Sequence, residues 1–295
     1  MLKLLNSQEK LKILKRLKSL VDKFQQSNNN EMWWHSTRME YSLKNELVPQ
    51  QVYVDRFPEC NFILSKYTNK ACGKNIEVYV ANFEDKSIIS DACDAALEMI
   101  ACENMSYGQI QSSPYFLYPS LMKSVKKYEL YLFEDIGANC MTFPYKNIDK
   151  LIEKTKPIEG FYCKPLRECD AELVNQRFKY ANHPDTYKWI RKSIQDLPSM
   201  GCYNSNDQLV GQFITMESGN FGGLFVIDEC KGLKLGKWIV QETTKLLHKL
   251  NKPMILETEF SNKVSYNLFT NLGFETRAHS YYMLLSKSPE IKDAT

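Results

Sequence analysis

The sequence predicts an α/β protein in two halves, with mixed β-sheets flanked by helices. Three observations carry this. Strand-like runs alternate with amphipathic helical runs, most regularly after about residue 157. The length of 295 residues exceeds one ordinary domain. A content of 43% apolar and 25% charged residues suits a globular chain with substantial cores.

The first helical run covers residues 6–24. Leu11, Leu14, Leu17, Val21 and Phe24 recur at helical spacing, lysines fill the other face, and Asn6 with Glu9 fits a capping box. A mitochondrial presequence has a related pattern, but Glu9 and Asp22 interrupt it, so an amphipathic surface helix is expected. The expected location is the cytoplasm, with mitochondria as the alternative. After the polar loop QQSNNN, β-type composition marks strands at 61–67 and 74–83. A helix beginning near Ser90 or Asp91, a strand at 128–135 and a short helix then lead to a turn at Pro157 and Gly160. The domain boundary is placed there, giving 1–156 and 157–295. No internal repeat is visible in the residues themselves.

In the second half, helices are expected at 170–180 and 186–196, the latter stopped by Pro198. Strands at 200–204 and 208–216 flank the turn Ser205-Asn206-Asp207 as a hairpin. A third strand, GGLFVID, precedes the loop ECKGLKLGKW, and a helix follows at 237–249. A strand at 253–260, a short helix at 263–271 and a strand at 280–286 complete the chain.

Composition also narrows the function class. A net charge of +3 does not suggest a dedicated nucleic-acid binder. The nine cysteines are scattered without a C-x-x-C pair, which suits a reducing compartment. The four histidines, His35, His183, His248 and His279, do not cluster with them, so no zinc site is expected. No segment is long and apolar enough to span a membrane.

The loop between strand and helix is the chemically suggestive stretch. Free N–H groups at a helix start can hold an anion, glycines let the backbone approach it, and lysines add positive charge. Here the glycines are Gly232 and Gly236, and the lysines Lys231, Lys234 and Lys237. Many strand-to-helix turns share this composition without binding anything.

The match extends beyond the loop. A basic residue, two variable residues, a glycine, another variable residue and a glycine or alanine form the coenzyme A pyrophosphate loop of the GNAT acyltransferase superfamily. Lys231, Lys234 and Gly236 occupy the corresponding positions. GGLFVID resembles that superfamily's fourth strand, PMILETEF its fifth, and SNKVSYNLFTNLGFE its closing motif. LPSMGCYNSNDQLVGQFITMESGNFGG and KLNKPMILETEFSNK further resemble the glycine N-acyltransferase-like family, and VYVDRFPECNFILSK does so more weakly.

The resemblance implies two GNAT-like halves, a degenerate 1–156 and an acyl-CoA-binding 157–295, the second with a cleft between splayed strands. It implies that Phe225, Val226 and Ile227 pair with pantetheine amides and that the backbone of Leu233, Lys234, Leu235, Gly236 and Lys237 holds the pyrophosphate. Lys231 would add charge, and Asn262 would hydrogen-bond the pantetheine. The implied reaction moves an acyl group from a CoA thioester to the amine of glycine or a similar acceptor. It needs no cofactor beyond the acyl-CoA co-substrate, no metal, no nucleic acid and no obligate protein partner.

Three positions depart from the family pattern. Lys234 replaces the loop's first glycine, Asn220 stands where a glutamate base is expected, and Phe269 replaces the tyrosine acid. Glu257 is the candidate base, with Glu259, Glu217 and His279 as further possibilities, and Tyr266 is the candidate acid. A module that binds acyl-CoA or a protein without catalysis is the competing expectation. Acetylation of protein lysines is a third and weaker one.

Overall fold

The computed structural model describes residues 2–44, 50–69, 73–102, 107–179, 186–216 and 218–289. Glu217 and His183 fall outside them. The chain divides into two compact units, Met1–Asn139 with Arg277–Thr295, and Cys140–Thr276.

Unit 1 begins with β1 (Lys3–Leu4), α1 (Ser7–Gln26) and α2 (Asn30–Lys44). The capping box at α1 is formed: Asn6 Oδ1 accepts the Glu9 N–H at 3.0 Å, and Glu9 Oε2 accepts the Asn6 N–H at 3.2 Å. Ile13, Leu17 and Phe24 are the buried residues of α1 and pack into the unit's own core. Leu11, expected on the apolar stripe, is 60% exposed. The stripe is therefore rotated toward Ile13, a residue the leucine spacing had passed over.

The unit continues with β2 (Gln50–Val54), β3 (Phe62–Asn69), β4 (Gly73–Val80), α3 (Lys86–Cys102), β5 (Tyr107–Pro114), α4 (Tyr118–Lys127) and β6 (Tyr131–Thr142). Strands β2, β3 and β4 are antiparallel neighbours, and α3 carries the chain across to β5, which runs parallel to β4. The α3 start lies earlier than Ser90 because Asp85 caps it: its carboxylate accepts the N–H of Ser87 at 2.9 Å and of Ile88 at 3.4 Å.

Unit 2 comprises α5 (Ile148–Glu153), β7 (Phe161–Lys164), α6 (Ala171–Arg177), α7 (Thr186–Asp196), β8 (Met200–Asn204), β9 (Leu209–Thr215), β10 (Phe221–Val226), α8 (Leu235–Lys249), β11 (Ile255–Glu259) and α9 (Lys263–Asn271). The final strand, β12 (Glu275–Ser286), then runs into unit 1 and pairs antiparallel with β5. The β8–β9 hairpin closes as expected: Asp207 takes φ 59°, and Asn204 Oδ1 accepts the N–H of Asn206 and of Gln208, each at 3.0 Å. Two cores sandwich this sheet. Ile239, Val240, Leu256 and Phe269 belong to one, and Val174, Ile190, Leu209 and Ile214 to the other.

The order β1-α1-α2-β2-β3-β4-α3-β5-α4-β6 recurs as β7-α6-α7-β8-β9-β10-α8-β11-α9-β12, with α5 between the two series. The duplication lies in the succession of elements. The last strand of each series explains why the units depart from a division at 156/157. The end of β6 borders β11, with the Thr142 hydroxyl donating to Met254 O at 2.8 Å, and most of β12 lies beside β5. Pairing between residues so far apart in the chain leaves no local signal.

Candidate functional site

The site begins where two strands of unit 2 part. β10 and β11 are parallel partners at Phe221 and Leu256, and no later pair joins them among the described residues. On its other side β10 stays bonded to β9, with a bulge between Gly222 and Phe225. Gly223 takes φ +62° there, and a Cβ would meet the Phe178 ring at 3.3 Å. In unit 1, by contrast, β4 and β5 stay paired from Lys74 and Gly108 through Glu77 and Gln111.

The register decides which backbone groups of β10 face the gap. The Ile227 N–H donates to Val210 O at 2.9 Å, and Phe225 O lies 3.1 Å from where a Cβ on Gly211 would stand. Both residues therefore spend these groups on β9, and the alternation of an antiparallel ladder turns Val226 the other way. Of Phe225, Val226 and Ile227, all expected to pair with pantetheine, Val226 alone points its polar backbone into the gap.

At the open end, α8 starts without a side-chain cap. Lys234, its N-cap residue, adopts φ 65° and ψ 14°, and its side chain makes no capping hydrogen bond. The first helical bond runs from the Trp238 N–H to Lys234 O. The amides of Leu235, Gly236 and Lys237 thus form the helix's orphan first turn. Lys234 adopts the left-handed backbone that a glycine provides at this position, so the turn keeps its path despite the side chain. Its ammonium is exposed, as are Lys237 and Leu233. Lys231 forms an ion pair with Asp228, which offsets its charge. Leu235 is buried in the core and offers the site only backbone. A Cβ on Gly236 would meet Val226 Cγ2 at 3.8 Å and nothing nearer. The corresponding helix start in unit 1 is closed by the Asp85 carboxylate.

The strand alternation of β11 puts Leu256 in the α8-side core and Glu257 and Glu259 on the opposite face. Glu257 Oε2 accepts from Asn220 Nδ2 at 3.1 Å, and its other oxygen lies 3.7 Å from the Cys140 thiol. Glu259 is engaged by Lys179 at 3.2 Å. Tyr266 is half-buried against the α8-side core, the other face from Glu257. Phe269 is a core residue, 4% exposed, stacked on Phe213 at 6.0 Å and edge-on to Phe274 at 5.3 Å. Asn262 caps α9, its Oδ1 accepting the Ser265 N–H at 3.0 Å. That leaves its amide nitrogen as the group available to a ligand. His279 belongs to unit 1, where its ring meets Tyr115 at 6.2 Å. Among the described residues no group of side chains is arranged to hold a metal ion.

Residues 199–283 match the family model described as FR47-like protein. A Drosophila protein of known crystal structure superposes with a TM-score of 0.76 at 11% identity, over 97% of this chain and 98% of that one. A GCN5-related N-acetyltransferase from Sphaerobacter thermophilus gives 0.54 at 11% identity, over 83% of each chain. A tandem GNAT protein from the clavulanic acid biosynthesis pathway gives 0.55 at 11% identity, over 86% of this chain and 89% of that one. No curated protein sequence matches. The fold is that of the GCN5-related N-acetyltransferases.

Within that GNAT fold the matched family segment contains the parted strands, the uncapped α8 and Glu257. Sequence reasoning missed the contacts of Asn220 with Glu257 and of Lys179 with Glu259, since both join residues dozens of positions apart. The bulge did leave a trace in the pair Gly222-Gly223 inside a strand.

Proposed function

We propose that the chain is an acyl-CoA-dependent N-acyltransferase that moves an acyl group to the amine of glycine or a similar small amino-acid acceptor. The observation that carries the proposal is the gap between β10 and β11 ending at the uncapped start of α8. The gap offers strand-like hydrogen bonds at Val226 to an extended amide chain, and the helix start offers N–H groups and a positive dipole to a pyrophosphate. The resemblance of the flanking motifs to glycine N-acyltransferases supports the acceptor class.

The acceptor reacts as the free amine, its ammonium having lost one proton to water; its nitrogen bonds to the acyl carbon and must then shed a further proton, and the carbon–sulfur bond breaks to release a thiolate. Glu257 stands where the strands diverge and takes the proton; Tyr266, on the opposite face, supplies one to the leaving sulfur. Holding the two reactants on either side of one gap provides much of the remaining rate. Lys234 and Lys237 add charge near the pyrophosphate, and Asn262 presents its amide nitrogen to the pantetheine.

The test is thiol release from acetyl-, benzoyl- and longer acyl-CoAs with and without glycine or glutamine, with CoA binding followed by thermal shift. Acceptor-dependent release is expected, and Glu257→Gln should lower kcat about 100-fold or more with little change in acyl-CoA affinity. The burial of Phe269 where many GNAT enzymes carry their acid favours a second reading, a module that binds acyl-CoA without turnover. Thermal stabilisation by CoA without release from any pair would support that module and refute the transferase.

A further inference from the structure

Asn220 replaces a family glutamate, yet it is built into the site. It is 7% exposed, sits immediately before Phe221, the last residue of β10 paired to β11, and its Nδ2 lies 3.1 Å from Glu257 Oε2. Resting on the transferase reading above, we infer that Asn220 is a positioning residue that aims the Glu257 carboxylate, and that the base function has moved from the turn before β10 to β11.

The orientation of the amide follows from donor chemistry. A carboxylate accepts and cannot donate, so the amide must turn its NH2 to Glu257. Its oxygen then faces the Ser218 hydroxyl, which donates to it. The backbone fixes both ends of this relay: the Met216 N–H donates to Asn220 O at 2.8 Å, and Gly219 takes φ +80° in the turn between them. On its other side Glu257 meets the buried Cys140 thiol. A donor thus meets each carboxylate oxygen, and the amide contact from Asn220 fixes the direction in which the carboxylate points. The glutamate expected at position 220 would have placed a second negative charge beside Glu257. It would also have removed the N–H donor that now orients Glu257. Asparagine and Glu257 are a matched set.

The test uses the full chain in the thiol-release assay. Asn220→Ala should lower kcat about 10- to 100-fold while the KM for acyl-CoA and the CoA thermal shift stay unchanged. Asn220→Asp, which keeps the shape if the alanine variant folds poorly, should move the acid limb of the kcat/KM profile to higher pH by about one unit or more. Ser218→Ala, which frees the amide to rotate, should produce a smaller loss in kcat of the same kind. Wild-type kcat and an unmoved acid limb in both Asn220 variants, in a chain that Glu257→Gln disables, would overturn this inference alone. A wild-type chain without acceptor-dependent release would overturn the transferase reading and this one with it.

Discussion

Gly236→Asp should make the chain slightly more stable and bind CoA much less well. The glycine lies in the first turn of α8, and a Cβ there meets only Val226 Cγ2 at 3.8 Å, so the side chain enters open space. Replacing a helical glycine recovers part of about 1 kcal/mol of backbone entropy, and a carboxylate in the first turn gains about 0.5 kcal/mol from the helix dipole. The same carboxylate faces the position proposed for the pyrophosphate. Two unit charges about 6 Å apart repel by roughly 3 kcal/mol at an effective dielectric of about 20, and exposure to solvent reduces this by about half. The resulting loss of affinity is about 10-fold. Gly236→Ala separates shape from charge, since it keeps the gain in stability without the repulsion. Isothermal titration with CoA and thermal unfolding of the free protein read both quantities. Unchanged affinity in Gly236→Asp would remove the α8 start from the binding site, whatever the change in stability.

Two further predictions concern unit 1. Arg38 and Glu77 form a buried ion pair at 3.0 Å, with side chains 5% and 1% exposed, and the Ser42 hydroxyl donates to Glu77 at 2.6 Å. Glu77→Gln should cost about 3–5 kcal/mol in urea unfolding by removing the carboxylate charge paired with the buried guanidinium, whereas Arg38→Met with Glu77→Leu should recover most of it; a loss under 1 kcal/mol would refute this account. Burial, helped by the nearby Arg38 charge, pushes the His35 imidazole down to about 3 from its ordinary 6.5. The unfolded chain therefore takes up that proton first, so this contribution to stability is complete above pH 6.5 and falls by about 1.4 kcal/mol per unit as the pH drops toward 5. His35→Leu should flatten that slope, and an unaltered slope would assign it to another group.

The pattern of residues was enough to place most elements of unit 2. Periodicity located α7, β8 and α9 at their observed bounds, because each is amphipathic or β-rich and is bounded by its own chemistry: Pro198 after α7, the Asn204 turn after β8 and the Asn262 cap before α9. Composition also located the loop before α8 and the alternation that puts Glu257 and Glu259 on one face. Strand β5 and helices α2 and α4 escaped notice. For α2 the reason is its burial, which is largely polar: it buries His35, Arg38 and Glu40 beside Met39 and Leu43, which hides the helical period. Tertiary structure decided what depends on register and on partners distant in the chain. It turned Val226 toward the gap and Phe225 and Ile227 away from it, capped one helix start with Asp85 and left the other open, and joined Asn220 to Glu257. It also took β12 into unit 1. A sequence records which residues can form a strand or a turn; which groups remain free to meet a ligand is fixed only when every other hydrogen bond has found its partner.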